Sequence, residues 1–324
     1  MRKISFSLGM TLLAACTIQA VHGRVLHPLV LFSVKDVPTY RLFVGDFQSD
    51  LANQGLAYAE IVCAPRRVGT PLAKQDATRL GQSSVIVTVG AENLARAIAL
   101  RLHVPILATY VTHHAYQKLI QHAPARSEVT ALYLDQPVTR FLSLARALIP
   151  NLHAISTVLS KNEKWRKLSI VQTTKKLGYA AHIIVVPNRL HAVFSAFRFV
   201  LPGTDVLIEF PDDQVYNAVT LPTILLRTVH YGVPIIGYAP AYVHAGALAA
   251  VYSSPSEFAE QALNTVRRIR ESHATLPRPA YPVQFKVLIN PSIANTLGIT
   301  LPSTHEILKR MHAPIPPARS YPRS

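Results

Sequence analysis

Cysteine is nearly absent: the 324 residues hold two, Cys16 and Cys63. Cys16 lies in a leader-like stretch, so Cys63 is left without an intrachain partner. No disulfide framework is expected, and Cys63 reads as a small, inert buried thiol in a strand-like run. Acidic residues are scarce, 17 against 33 Lys plus Arg, a formal net charge of +16. Glycine is scarce too, with 13 in all. Beyond the N-terminal stretch no run approaches about 18 apolar residues, so no membrane-spanning helix is expected. No P-loop, GxGxxG or GxSxG pattern occurs, which removes the usual sequence grounds for nucleotide cofactors and hydrolase elbows. No helix-spaced His pair accompanied by a carboxylate is present. His113-His114 and the other histidines are therefore assigned to structure or surface, and neither a metal nor any other cofactor is expected. The basic residues come in small groups, such as Lys161–Lys167 and Arg267–Arg270, none of them a continuous stripe with interleaved aromatics. That argues against nucleic acid as a partner and leaves a solvated surface with weak attraction to anionic lipid or to a membrane permease.

What is present begins with an export pattern. Met1-Arg2-Lys3 is a basic n-region and residues 4–15 are mostly apolar, as in a secretory signal peptide. Two cleavage readings compete. Leu13-Ala14-Ala15-Cys16 fits a lipobox that would leave Cys16 lipidated after removal of 1–15. Val21-His22-Gly23 fits an ordinary site that removes 1–23, and the short apolar region favours it. Both readings place the protein in the periplasm, the first with a lipid anchor.

Apolar strand-like runs then alternate with amphipathic helical ones. Strands are expected at 25–32, 58–62, 84–89, 104–110, 129–135, 153–159, 181–186, 205–210, 233–238 and 285–289. Helices are expected at 35–53, 71–80, 91–102, 137–149, 162–177, 189–200, 214–231, 256–272 and 291–297, with Pro222 kinking or restarting the seventh. Repeated βα alternation predicts an α/β fold with parallel sheets flanked by helices. No short internal repeat occurs, and 314–324, rich in Pro, Ser and Arg, reads as part of a disordered tail spanning 311–324.

The chain is organised around residues 204–250. Phe210-Pro211-Asp212-Asp213 with Tyr216, Gly232-Val233-Pro234-Ile235-Ile236-Gly237 and Val243–Ala250 occur there in order. Val287–Asn290 and Ala294–Pro302 follow near the end. With these blocks in this order, the chain from about Leu31 to Leu308 resembles the substrate-binding proteins of ABC transporters, of the tryptophan or aromatic type. The resemblance implies a type I periplasmic binding fold of two lobes with three interlobe crossings, near Thr130, Ala245 and Thr275. The N-terminal lobe would comprise 24–130 plus 245–275, and the C-terminal lobe 131–244 plus 276–310. It further implies a monomer that captures a small amino-acid-like molecule, aromatic ones included, in the cleft and delivers it to an inner-membrane ABC permease. It would perform no chemistry.

Candidate ligand contacts follow from strand ends, where open α/β sheets bind ligands. Gly90-Ala91, between a strand and a helix, could offer backbone N–H groups to a carboxylate. The resemblance places a Gly at this point, beside a cleft-lining loop. Tyr110 and Thr112 lie on the next loop, Thr109–His113. Of the two acids after Pro211, the resemblance favours Asp212 as partner of a ligand ammonium, leaving Asp213 to cap the following helix. Adjacent acids rarely aim at one substrate atom, so a catalytic pair is not expected. Tyr40, Tyr110, Phe210, Tyr216, Tyr238 and Tyr242 fall near strand ends, and Tyr216 and Tyr238 best suit an aromatic wall. Some departures stand out. The entry segment Ser33–Tyr40 is poorly kept, and Thr109–His114 replaces the family's small-residue-plus-Asp-Pro sequence. They keep open an accessory or sensory protein on the same fold with a degenerate cleft. An exported α/β enzyme would rest on Asp212 and Asp213 alone.

Overall fold

The computed structural model describes residues 29–34, 37–63, 73–125, 127–271 and 276–313. The leader, both cleavage readings, Cys16 and 314–324 lie outside them, as does the side chain of Cys63.

The first sheet is built from β1 (Leu29–Val34), β2 (Tyr58–Cys63), β3 (Ile86–Val89), β4 (Ile106–Val111) and β5 (Val129–Tyr133). Between them run α1 (Pro38–Asn53), α2 (Lys74–Gly81), α3 (Ala91–Ala99) and α4 (His113–Ile120). All pairings are parallel, in the order β2-β1-β3-β4-β5. β3 and β4 are buried along their whole length, as expected of uninterrupted apolar runs with helices on both faces.

After α5 (Val138–Leu148) the second sheet begins with β6 (Ala154–Ser160), α6 (Lys164–Leu177), β7 (Ala180–Val186), α7 (Leu190–Val200) and β8 (Val206–Ile208). It continues through α8 (Leu221–His230), β9 (Ile235–Gly237), α9 (Pro240–Ala245) and β10 (Ala249–Tyr252). The chain then returns to the first sheet through α10 (Pro255–Glu271). It comes back as β11 (Lys286–Ile289), α11 (Pro291–Thr296) and α12 (Thr304–His312). The sheet order is β11-β10-β9-β8-β6-β7. Read from β7 to β10 this repeats the order of the first sheet, so one topology is used twice. β11, antiparallel to β10, is an added edge, where a wholly parallel sheet was expected.

Local chemistry explains most boundaries. Gly178 ends α6 in the left-handed region (φ 73°), where a side chain on Cβ would be strained. Pro222 restarts the helix rather than kinking it: residues 214–220 form turns, and α8 begins with Pro in its first turn. Asn290 caps α11 by accepting from the Ile293 N–H, and Ser303 caps α12 through the Glu306 N–H. α4, α9, β10 and α12 were not anticipated. α9 and α4 are short, and the Ala-rich β10 has little β-branched content to announce a strand.

The crossings lie elsewhere than expected. β5 pairs with β4, so the first crossing follows Tyr133 rather than Thr130. β10 pairs with β9 and β11 in the second sheet, so the second crossing comes after Tyr252 rather than at Ala245. α10 then packs on α1 across Phe43, Phe47 and Phe258. In the third, Ala280 is still bonded to β5: Tyr133 N–H donates to the Ala280 carbonyl, and Ala280 N–H to that of Ala131. The three crossing segments are tied together. Gln136 Nε2 donates to Ser253 Oγ (3.0 Å), and Ser253 Oγ donates to the Gln284 carbonyl (2.7 Å).

Candidate functional site

The carboxyl ends of both sheets face a shared cavity of about 510 Å³. α1 contributes Thr39, Tyr40 and Leu42, β4 contributes Tyr110, and the first crossing contributes Leu134, Asp135 and Gln136. From the second sheet come Pro211, Tyr238, Ala239 and Tyr252 at the end of β10, with Ser253 from the second crossing. Phe258 of α10 closes the back. Carboxyl ends at a switch in strand order are where open α/β sheets leave a crevice, and both sheets switch, at β1/β3 and β6/β8.

The first-sheet wall is an aromatic cluster. Tyr110 packs on Tyr40 (ring centroids 5.2 Å, 68° between planes), Phe43 (5.0 Å) and Phe258 (4.9 Å). Tyr110 itself has φ 53°, unusual for a residue with a side chain, and sits where the β4–β5 register slips. That irregularity aims the ring at the cavity rather than along the strand. Gly90 is part of the same construction. Its φ is 87°, and a Cβ built there would lie 2.9 Å from Tyr40 Oη. Burial pushes the phenols of Tyr40, Tyr110 and Tyr238 above their ordinary range, so all three stand neutral as hydrogen-bonding groups at neutral pH.

On the second-sheet wall Tyr238 packs at a tilt against Tyr242 (ring centroids 4.7 Å, 49° between planes), whose hydroxyl donates to Tyr238 Oη at 2.6 Å. Asp135 is the carboxylate on the cavity wall. It accepts from the His113 N–H (2.8 Å) and faces Arg166 at 3.5 Å, which in turn pairs with Glu163 (3.2 Å). Beside this relay, His114 stacks on Trp165 (5.0 Å, 9°), joining the end of the first sheet to α6 of the second. Burial lowers the pKa of both His113 and His114, so they are neutral at pH 7.

Of the seven expected ligand contacts, the cavity gathers two, Tyr110 and Tyr238. The rest serve the fold. Gly90 does not offer its N–H to an anion, because that group donates to the Thr109 carbonyl (2.9 Å). Ala91 begins α3 and packs against the first-sheet core. Thr112 caps α4, its hydroxyl accepting from the Ala115 N–H. Asp212, rather than Asp213, takes the backbone-capping role. Asp212 is 5% exposed and accepts from the N–H groups of Ser160 (2.7 Å) and Gln214 (3.2 Å), whereas Asp213 is exposed. Burial still raises the Asp212 pKa, with those two N–H groups opposing the shift. Tyr216 is 2% exposed and its hydroxyl accepts from the Val158 N–H at 3.1 Å, deep in the second core.

Sequence reasoning passed over Tyr252, Gln136 and Ser253. Tyr252 ends the apolar run 248–251, a signal of a strand end that was available. Gln136 and Ser253 belong to crossings, whose placement depends on which sheet each strand joins. Among the described residues no group of three or more His, Cys, Asp or Glu side chains is placed to hold a metal ion.

Residues 75–313 match a family model described as ABC transporter substrate binding protein. No curated protein matches the sequence. Among solved structures, the fold resembles a conserved domain protein from Vibrio cholerae (TM-score 0.60, 20% identity, covering 88% of this chain and 98% of that one). It also resembles an ABC domain in complex with L-Trp from Streptococcus pneumonia (TM-score 0.58, 18% identity, 87% and 98%). A third is the ligand-free, open structure of a substrate binding protein with adhesive properties from Clostridium difficile (TM-score 0.69, 16% identity, 86% and 97%).

Proposed function

We propose that this chain, which belongs to the ABC transporter substrate binding protein family, captures a small aromatic molecule between Tyr110 and Tyr238. The observation that carries this reading is the cavity itself. Two aromatic walls from different sheets face each other across about 510 Å³, a volume ample for an amino-acid-sized ligand. Such walls favour a flat ring, and Thr39 and the tyrosine hydroxyls supply a few orienting hydrogen bonds. An amino-acid-like ligand fits, but Asp212 is not its ammonium partner in this reading, because that carboxylate is spent on backbone N–H groups. The two sheet units close on the ligand about the crossings joined by Gln136, Ser253 and Gln284. Export to the periplasm and delivery to an ABC permease complete the proposal, in keeping with the family. No step of chemistry is assigned.

A thermal-shift screen of the protein against amino acids and aromatic metabolites tests it. A ligand that binds only the folded state adds about 2.7 kcal/mol of stability at a hundredfold excess over Kd. The expected result is a shift with an aromatic compound, abolished in Tyr110→Ala and Tyr238→Ala and kept in Asp212→Ala. No shift across the panel would turn the assignment toward an accessory or sensory protein with a closed or degenerate cleft.

A further inference from the structure

The second sheet carries a surface that the cleft does not use. Residues 164–204 and 214–256 contain no Asp or Glu. The helices α7 and α8 drawn from these stretches pack side by side on one face of the sheet. Both follow parallel strands, so they run in the same direction and their last turns are neighbours. There the burial pattern is inverted for a soluble helix. α8 buries Thr228 while leaving Leu226 74% and Val229 48% exposed, and Phe199 at the end of α7 is 75% exposed. Val219 and Leu190 extend the apolar stripe toward the first turns, at 69% and 50% exposure. Arg189 and Arg198 are exposed and Arg227 half-buried along the same helices. Of the acids that flank these stretches, Asp205 accepts from the His153 and Ala154 N–H groups, and Glu209 and Asp212 are buried. The exposed Asp213 follows the carboxyl end of β8, at the end of the sheet away from the last turns of α7 and α8.

We propose that the α7–α8 face seats this protein on an anionic phospholipid surface. Phe199 and Leu226 would enter at headgroup level, with Arg189, Arg198 and Arg227 against lipid phosphates. Protruding apolar tips flanked by Arg suit a fluid, negatively charged interface. A second copy of the chain would set Arg against Arg without a carboxylate to receive it, which disfavours self-association through this face. The last turns of both helices lie at the end of the sheet opposite the cleft, so a seated molecule keeps the cavity open. This inference is independent of what the cleft binds.

The test is co-sedimentation of the chain from residue 24 onward, which holds every described residue and lacks the apolar leader. The probes are vesicles of phosphatidylcholine alone and of phosphatidylcholine with about a third phosphatidylglycerol. Binding is expected only to the anionic vesicles and is expected to weaken with salt. Arg198→Glu/Arg227→Glu should lose binding by about thirtyfold or more, given roughly fivefold per basic residue at such a surface. Phe199→Ser/Leu226→Ser should lose about tenfold or more. Lys175→Glu/Lys176→Glu, an equal change of charge on exposed positions of α6, should keep most of it. Circular dichroism melts establish that each variant is folded. Should the apolar pair fail to fold, the Arg pair and the α6 control decide alone. Absence of binding to anionic vesicles at low salt would overturn the proposal. So would an equal loss in the α6 control, or binding to soluble polyglutamate but not to vesicles.

Discussion

The two sheet units share one strand order yet divide the work of the cleft unequally. The first unit gives the cavity a strained, aromatic wall. Tyr110 at φ 53° holds a conformation that the packing of Tyr40, Phe43 and Phe258 must enforce, while Gly90 adopts φ 87° freely and leaves room for Tyr40. The second unit spends its acids on itself. Asp212 fastens the turn after β8 to the end of β6, and Glu209 lies wholly buried with no hydrogen-bond partner among the described residues for either carboxyl oxygen. The lesson is that a conspicuous acidic motif can be structural while an inconspicuous aromatic one forms the site. A carboxylate beside orphan N–H groups satisfies them first, and only what remains can reach a ligand.

Three substitutions sharpen this contrast. The largest effect is expected at Asp212→Ala, which strands the N–H groups of Ser160 and Gln214. Loss of two charge-assisted bonds in a buried turn should cost about 2–3 kcal/mol in chemical denaturation, while the folded variant still responds to ligand. Loss of ligand response without loss of stability would reverse the assignment. Gly90→Ala comes next. It places a Cβ against Tyr40 Oη at a left-handed φ, with an expected cost of about 1–2 kcal/mol and weakened ligand binding as Tyr40 moves. An unchanged ligand affinity would separate Gly90 from the cleft.

The last of the three, and the most telling about the second unit, is a pH dependence at Glu209. Burial raises its pKa well above the ordinary value of 4.5. The folded chain therefore holds a proton that the unfolded chain releases from about 4.5 upward. Stability from this group is full below that pH and is lost as pH rises toward and through the folded value. Glu209→Gln has no proton to lose, so its denaturation midpoint should fall less between acidic and alkaline pH than that of the parent. Parallel pH profiles would show that Glu209 is ionised in the fold or solvated through a partner.

Much of this was legible in the chain. Runs such as Val85–Val89 and Leu107–Val111, separated by amphipathic helices, sufficed for parallel sheets, because a strand covered on both faces has no polar side to display. Pro222 and Gly178 marked a helix start and a helix stop through their own backbone limits. The Ala-rich β10 was missed, and with it the second crossing. Ala carries little strand preference, and only pairing with β9 and β11 makes Ala249–Tyr252 a strand.

The sequence by itself determined the α/β class, the family blocks in their order, the surplus of positive charge and the acid-free stretches around α7 and α8. These rest on local patterning and counting, which need no knowledge of neighbours. Only the tertiary structure decided that Asp212 faces Ser160, that Tyr216 is core, and that Tyr110, Tyr238 and Tyr252 meet at one cavity. Those side chains come from strand ends and crossings far apart in the chain. Which of them share a space depends on sheet order and crossing points, and no local pattern carries that information.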